Sequence, residues 1–386
     1  MSLTPETPET PEPTVPAEVL AAIRVPFEAF GGAWVDAPVL QPLGLLLDLA
    51  GEAMRSRLLV VQGEGAEAAV LRPDFTIPVA QSHIASGQAR GRYLYQGKAF
   101  QASGPGGGGE FLQIGAELFG PAADVAAEDA AVAALAWTAA GAGGRKDLSL
   151  VMGDVGLFDG FVRAIGAPTG VATRLTRAFA DGRSVEAELV RAQGEAPAPP
   201  AGSGRLAGLL SDLPEAEAAA VLEELWRLAG IQPVGGRSPG EIVHRLIERS
   251  AGDRGPRLTA GEAGLIGRYL AISGSPRAAL DQVESLAYEA KVEFDLALQP
   301  WVRRVKALNA AGLPETALTL STGFSRPFGY YDGMLFEVRS AALGAGRPVA
   351  AGGRYDGLPA RLGGAGEPGA VGCIVRPARA WSGAAA

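Results

Sequence analysis

The sequence predicts an α+β protein, a β-rich core split around a mainly helical insert, and three observations carry that reading. Side chains alternate in character through residues 92–100 and 111–119, the period-two signature of paired strands. Helical spacing dominates between Phe158 and Leu286. From Ala317 onward, short strand-like runs return, separated by Gly and Pro.

The elements follow in order. The chain opens on Thr4-Pro5-Glu6, Thr7-Pro8-Glu9 and Thr10-Pro11-Glu12. Proline at every third position with glutamate predicts a solvated, disordered tail over residues 1–16, with neither the basic nor the apolar region of a signal peptide. Residues 17–30 read as an amphipathic helix, because Val19, Leu20, Ile23, Phe27 and Phe30 share one face. Strands 92–100 and 111–119 form a long hairpin. Its glycine-rich connection, residues 101–109, opens a strand rather than a helix, and no Lys, Arg or His lies between Lys98 and Glu110. It reads as a turn rather than a phosphate cradle. An alanine-rich helix over 124–140 is suited to close packing and completes a first core segment, residues 17–157.

The insert spans residues 158–290, with helical stretches at 215–228 and 276–290. The segment 196–202, Ala-Pro-Ala-Pro-Pro-Ala-Gly, is a linker or surface loop. Charged residues over 241–254 read as a solvated helix face. The second core segment runs over 291–386.

Composition narrows the function classes. The 386 residues, 47% hydrophobic, suffice for real cores, and 34 Lys and Arg against 42 Asp and Glu give a net charge of −8. That is the wrong sign for a protein whose main partner is a phosphate backbone. One cysteine, Cys373, excludes an internal disulfide and a cysteine metal cluster and fits a reducing cytoplasm; its apolar surroundings make it a buried small hydrophobe. His83 and His244 are the only histidines and lack ligand-spaced companions, so no metal or cofactor is expected. The longest apolar run, 130–142, is too short for a membrane span.

The strand 111–119 puts Leu112, Ile114, Ala116 and Leu118 on one face and Gln113, Gly115 and Glu117 on the other. The second face offers an amide and a carboxylate roughly 7 Å apart with a glycine between them. It suits a small cationic or amphoteric guest, since Gln113 donates and accepts while ionised Glu117 only accepts. Periodicity alone fits a solvated strand face equally well.

Four stretches together are more specific: Leu71-Arg72-Pro73-Asp74-Phe75-Thr76, the strand 110–117, Tyr330-Tyr331-Asp332-Gly333 and Gly352-Gly353-Arg354-Tyr355-Asp356-Gly357. They resemble the histidine pocket of histidyl-tRNA synthetase. The hairpin resembles motif 2 of class II aminoacyl-tRNA synthetases, and residues 369–375 resemble a degraded motif 3. The resemblance runs from about Ala17 to about Trp381 and implies a class II core, a mixed, mainly antiparallel sheet flanked by helices. It places Asp74, Thr76 and Gln113 on the α-amino group of histidine, with Asp74 where the family has a longer glutamate. It places Glu117 and Tyr331 on the imidazole, Tyr330 and Tyr355 in the walls, and Arg326 on the carboxylate side. Pro327-Phe328-Gly329 replaces the family's Gly-Leu-Asp and alters the loop beside Arg326.

The departures lie on the nucleotide side. Gln101 stands where motif 2 has the arginine that contacts the ATP α-phosphate, and loss of one such donor lowers rate about 10²- to 10³-fold. In motif 3 the family's glycine aligns with Arg376 and its glutamate with Ala378, while Arg379 matches the motif's arginine. Too few residues follow Gly372 for an anticodon-binding domain, since an independent domain needs at least about 50. Neither tRNA nor a membrane is an expected partner.

This combination resembles the regulatory subunits of ATP phosphoribosyltransferase, a family related to histidyl-tRNA synthetase. The resemblance implies a subunit without catalytic residues of its own, acting in the first step of histidine biosynthesis beside a short-form catalytic subunit, and sensing free histidine or supporting its sensing. It also implies a homodimer within a hetero-oligomer, with residues 17–40 in the motif 1 position. Two other readings remain: a histidine-adenylating enzyme acting without tRNA, and a scaffold with a vestigial pocket.

Overall fold

The computed structural model describes residues 12–50, 52–62, 68–102, 109–194, 213, 215–229 and 257–383. The chain enters through helix α1 (Ala17–Phe30), which buries Ile23 and Phe27 and ends at Gly31. Strands β1 (Ala33–Trp34) and β2 (Leu40–Pro42), helix α2 (Leu43–Ala50) and a 3-10 turn (Glu52–Arg57) follow. Then come β3 (Val60–Val61), β4 (Ala69–Leu71) and helix α3 (Thr76–Ser86). The hairpin pairs β5 (Gly91–Gln101) with β6 (Gly109–Phe119), and Tyr93 stands opposite Glu117.

Helix α4 (Val125–Ala142) begins where Asp124 accepts from the amides of Ala126 and Ala127, satisfying donors that the first turn leaves free. Its small side chains let it lie close under the sheet, with Val132, Ala133, Ala136, Ala139 and Ala140 fully buried. Strand β7 (Leu148–Asp154) leads into helices α5 (Val155–Ala164), α6 (Thr169–Ala180), α7 (Val185–Gln193) and α8 (Glu215–Ala229). Helix α9 (Ala260–Leu270) starts on a capping box between Thr259 and Glu262. Strand β8 (Ser273–Gly274), helix α10 (Pro276–Glu289) and helix α11 (Asp295–Ala310) complete this mainly helical stretch. Strands β9 (Leu318–Ser321), β10 (Met334–Ser340) and β11 (Ala350–Arg354), helix α12 (Leu358–Arg361), strand β12 (Ala370–Val375) and helix α13 (Pro377–Ala380) close the chain.

Among the described residues, nine strands form one sheet in the order β1-β5-β6-β12-β11-β10-β7-β9-β8. Only β1–β5 and β7–β9 are parallel, so the sheet is mixed and mainly antiparallel, as the class II resemblance implies. Strand β8 pairs with β9, which ties the helical stretch back to the sheet edge. Strands β2, β4 and β3 make a separate small sheet.

Both faces of β6 are covered. Glu117 is 1% exposed and Gln113 4%, which removes the solvated-face reading left open by periodicity. His83 is structural: its ring stacks on Phe119 and its Nδ1 lies 3.0 Å from the Tyr93 hydroxyl. Cys373 is buried, and burial pushes its thiol up. The linker at 196–202 and the charged stretch at 241–254 lie outside the described residues, as do residues 1–11 of the tail and 103–108 of the glycine-rich loop. Among the described residues, no helix is long and apolar enough to cross a membrane, and no group of His, Cys, Asp and Glu could hold a metal ion.

Candidate functional site

All eight residues placed in the pocket by resemblance, Asp74, Thr76, Gln113, Glu117, Arg326, Tyr330, Tyr331 and Tyr355, line one cavity of about 680 Å³. Register builds its floor. Glu117 of β6 stands opposite Gly372 of β12, and Gly372 opposite Gly353 of β11. A Cβ on Gly372 would lie 1.6 Å from the Glu117 carboxylate, and one on Gly353 would lie 2.9 Å from the Tyr331 ring. The missing side chains let a carboxylate and a phenol lie directly on the sheet.

The acidic end converges on Glu117. Its carboxylate accepts from Thr76 Oγ1 at 2.8 Å, from the Tyr95 hydroxyl at 3.1 Å and from the Tyr355 hydroxyl. Burial outweighs these bonds and raises its pKa to about 7. Asp74, at the N-terminus of α3, accepts from the Tyr330 hydroxyl at 3.0 Å and from the Thr76 amide at 3.2 Å, and burial raises its pKa too. Burial likewise raises Tyr330, Tyr331 and Tyr355, so all three stay protonated donors. Gln113 Oε1 is buried and accepts no hydrogen bond. Thr76 turns its hydroxyl to Glu117, so in the free site it orients the carboxylate.

The other end is basic. Arg57, Arg326, Arg339, Arg376 and Arg379 all line it. Gln101 is not left alone: Arg57 Nη2 donates to Gln101 Oε1 at 2.8 Å, while Gln101 Nε2 donates to the Pro73 carbonyl. Arg57 thus supplies a guanidinium beside the position where motif 2 carries one, from a turn 44 residues earlier. Burial, then the charge of Arg326, holds its pKa below the usual value. Arg326 Nη1 bonds Glu337 at 3.2 Å, which Arg339 shares at 2.8 Å. Arg376 lies over the Phe111 ring at 3.6 Å. Burial and like-charged neighbours hold Arg379 at about 9, and burial holds Arg376 at about 10.

Sequence reasoning missed Arg57, Arg339 and Tyr95. Tyr95 was legible in principle, since it sits opposite Gly115 in the hairpin and fills the space that glycine leaves. Arg57 had no local signal. Arg354, in the Gly-Gly-Arg-Tyr-Asp-Gly stretch, points away from the cavity. It bonds Asp129 at 2.6 Å, Glu128 at 2.9 Å and Asp356 at 2.9 Å and anchors β11 to α4.

A family model described as histidyl-tRNA synthetase matches residues 11–233 and 253–377. Among solved structures, an ATP phosphoribosyltransferase regulatory subunit/histidyl-tRNA synthetase from Bacillus halodurans superposes with a TM-score of 0.64 at 19% identity, over 99% of this chain and 85% of that one. The histidyl-tRNA synthetase of a Nostoc species gives 0.60 at 16%, over 97% and 74%. These two establish the fold alone. The ATP phosphoribosyltransferase regulatory subunit of Brucella anthropi is 34% identical over 349 residues, 89% of this chain and 91% of that one. That of Brucella canis is 36% identical over 350 residues, with the same two shares. Similarity at that level, over nearly the whole length of both proteins, shows that the chain belongs to the family of ATP phosphoribosyltransferase regulatory subunits, built on the histidyl-tRNA synthetase fold.

Proposed function

We propose that the chain is a regulatory subunit without catalysis of its own, which binds histidine in this cavity and assembles with a short-form catalytic subunit of ATP phosphoribosyltransferase. The regulatory part rests on the family. The histidine part rests on one observation above others: Gln113 Oε1, a buried acceptor without a partner, lies in the same acceptor-rich end as Asp74 and Glu117. Such an end is complementary to a ligand that brings N–H donors and positive charge, and histidine carries both on its ammonium and imidazole groups. Arg326 lines the same cavity and suits the ligand carboxylate.

The test is reconstitution. Purified chain is expected to co-elute with the short catalytic subunit, raise its activity, and bind histidine by calorimetry in the absence of ATP. No co-elution together with no effect on activity would sink the regulatory reading. Arg57 beside Gln101 favours a second reading, histidine adenylation without tRNA, because it puts a guanidinium near the motif 2 position. Histidine-dependent exchange of pyrophosphate into ATP by the chain alone would support that reading instead.

The expected assembly is a homodimer within a hetero-oligomer in the cytoplasm. Support for the dimer comes from α1 and the edge strand β1, where Trp34 is 40% exposed under the Arg24 guanidinium and Val25 is 58% exposed.

A further inference from the structure

The loop that carries Arg326 into the cavity is fastened at its two ends by different parts of the chain. Its second half, residues 330–333, is tied to β11 and the turn after it. The Asp332 amide donates to the Arg354 carbonyl at 3.2 Å, and the Asp332 carboxylate accepts from the amides of Asp356 at 2.9 Å and Gly357 at 2.7 Å. Its first half, residues 326–329, leans on elements outside the cavity. Pro327 packs against Gly182, where the chain turns out of α6: a Cβ on Gly182 would lie 3.1 Å from the Cα and Cβ of Pro327 and 3.2 Å from its nitrogen. Gly182 has φ +64, the left-handed conformation that ends a helix, so a side chain there is unfavourable on backbone grounds as well. The Gly329 carbonyl accepts from Arg361 Nη1 at 3.3 Å, and Arg361 Nη2 donates to the carbonyls of Asp48 at 2.7 Å and Leu49 at 2.9 Å. These two lie in the last turn of α2, where helix carbonyls have no partner of their own. The charges of Asp181, next to Gly182, and Arg361 favour each other across the same contact.

We propose that Gly182 and Arg361 are positioning residues for Arg326, and that through them α6 and α2 set how strongly the cavity prefers a ligand with a carboxylate. The inference rests on the histidine reading and adds to it the distant residues that control specificity. Arg326 bonds Glu337 through Nη1 at 3.2 Å and keeps a buried Nε without a hydrogen-bond partner, so the aim of that free donor is set by the backbone that carries it. Phe328 contacts the guanidinium groups of Arg57 and Arg326, 5.4 Å and 5.5 Å from its ring, so a shift of Pro327 is passed to the arginine before it and the ring after it. A guanidinium gains most from a carboxylate when its planar fork faces the two oxygens, and a displaced fork forfeits that gain. Residues 330–333 keep their own anchors, so disturbing the first half of the loop leaves Tyr330 and Tyr331 in place.

Calorimetry compares histidine with histamine, which keeps the imidazole and ammonium groups but lacks the carboxylate, on the full chain and its Gly182→Ala, Arg361→Gln and Gly166→Ala variants. Gly166, just beyond α5, also has a left-handed φ, +85, but a Cβ there meets nothing within 4 Å, so its variant carries the backbone strain without the contact. Gly182→Ala and Arg361→Gln are each expected to weaken histidine about tenfold, the lower end for loss of a charge-assisted bond, and to move histamine less than about twofold, with Gly166→Ala changing neither. Histidine and histamine weakened together, no weakening, or a match by Gly166→Ala overturns the proposal, as does an unaltered chain that binds both ligands equally. Should Gly182→Ala fail to fold, Arg361→Gln decides. An unaltered chain that binds neither ligand sinks the histidine reading and leaves the positioning to hydrogen exchange, which also decides where histamine binds too weakly to titrate. The amides of Phe328 and Gly329 are then expected to exchange faster in Gly182→Ala and Arg361→Gln than in the unaltered chain and Gly166→Ala, and equal rates overturn the proposal.

Discussion

Glu117 is the residue on which the proposed histidine binding turns, because its carboxyl is held at about 7, next to the ordinary pKa of an imidazole. The carboxyl and the imidazole of histidine can share one proton. Below about pH 6.5 both free partners carry a proton, so binding must release one; above about 7 neither does, so binding must take one up. Histidine affinity is therefore expected to peak between about pH 6.5 and 7 and to fall toward tenfold per pH unit on either side, measured by calorimetry across buffers. A flat profile would mean that the imidazole does not meet Glu117. Stability of the free chain carries the opposite mark of the same shift. A carboxyl raised on folding makes the folded state hold extra proton, so its contribution is lost as pH rises from the unfolded value, 4.5, through about 7. Glu117→Gln removes the charge and keeps the shape. Loss of a charge-assisted bond of about 1.5–3 kcal/mol predicts histidine binding about 10- to 150-fold weaker. Gly372→Ala tests the floor, since its Cβ would meet the Glu117 carboxylate at 1.6 Å. The expected result is overpacking of about 1–3 kcal/mol, read as a lower melting temperature, together with lost histidine affinity.

At the scale of elements, β11, which helps to floor the cavity, is fastened from behind. Arg354 links β11 to Asp129 and Glu128 of α4, and Arg304 of α11 holds the other oxygen of Asp129 at 2.7 Å. Arg354→Ala leaves Asp129 with one partner, so the lower end of the range for breaking a buried pair applies, about 3 kcal/mol. Urea denaturation should show that loss, and the neighbouring Tyr355 should lose its grip on Glu117, weakening histidine binding as well. An unchanged urea midpoint would mean that apolar packing of α4 suffices. The same elements explain what was legible in advance. Residues 17–30, 92–100 and 111–119 could be read because their periodicity is local, and the eight pocket residues because their motifs are. Arg57 could not, since it reaches the cavity from a segment without motif or periodicity and is brought there only by the 3-10 turn. The solvated or buried state of Gln113 and Glu117 was likewise undecidable from β6, because the cover comes from segments distant in sequence, such as Thr76 of α3 and Tyr355 on Glu117.

At the scale of the whole molecule, a regulator needs two states whose histidine affinities differ, for a ligand that binds both equally shifts nothing. With a short-form catalytic subunit as the partner, the difference is expected to lie in the usual range of about 1–3 kcal/mol, a factor of about 5–150. Thermodynamic linkage makes the prediction strict. The factor by which histidine changes the affinity of this chain for the catalytic subunit must equal the factor by which the catalytic subunit changes its affinity for histidine. Both are measurable by calorimetry, with the third component either saturating or left out. Thr76, Tyr95 and Tyr355 of this chain hold the Glu117 carboxylate, so Glu117→Gln is expected to leave assembly intact and bring both factors toward one. Assembly lost along with histidine binding would place the cavity at the subunit contact rather than behind it. A factor of one in the unaltered chain would reduce the cavity to a vestige of the synthetase fold, with Gln113, Glu117 and their tyrosines kept for packing alone.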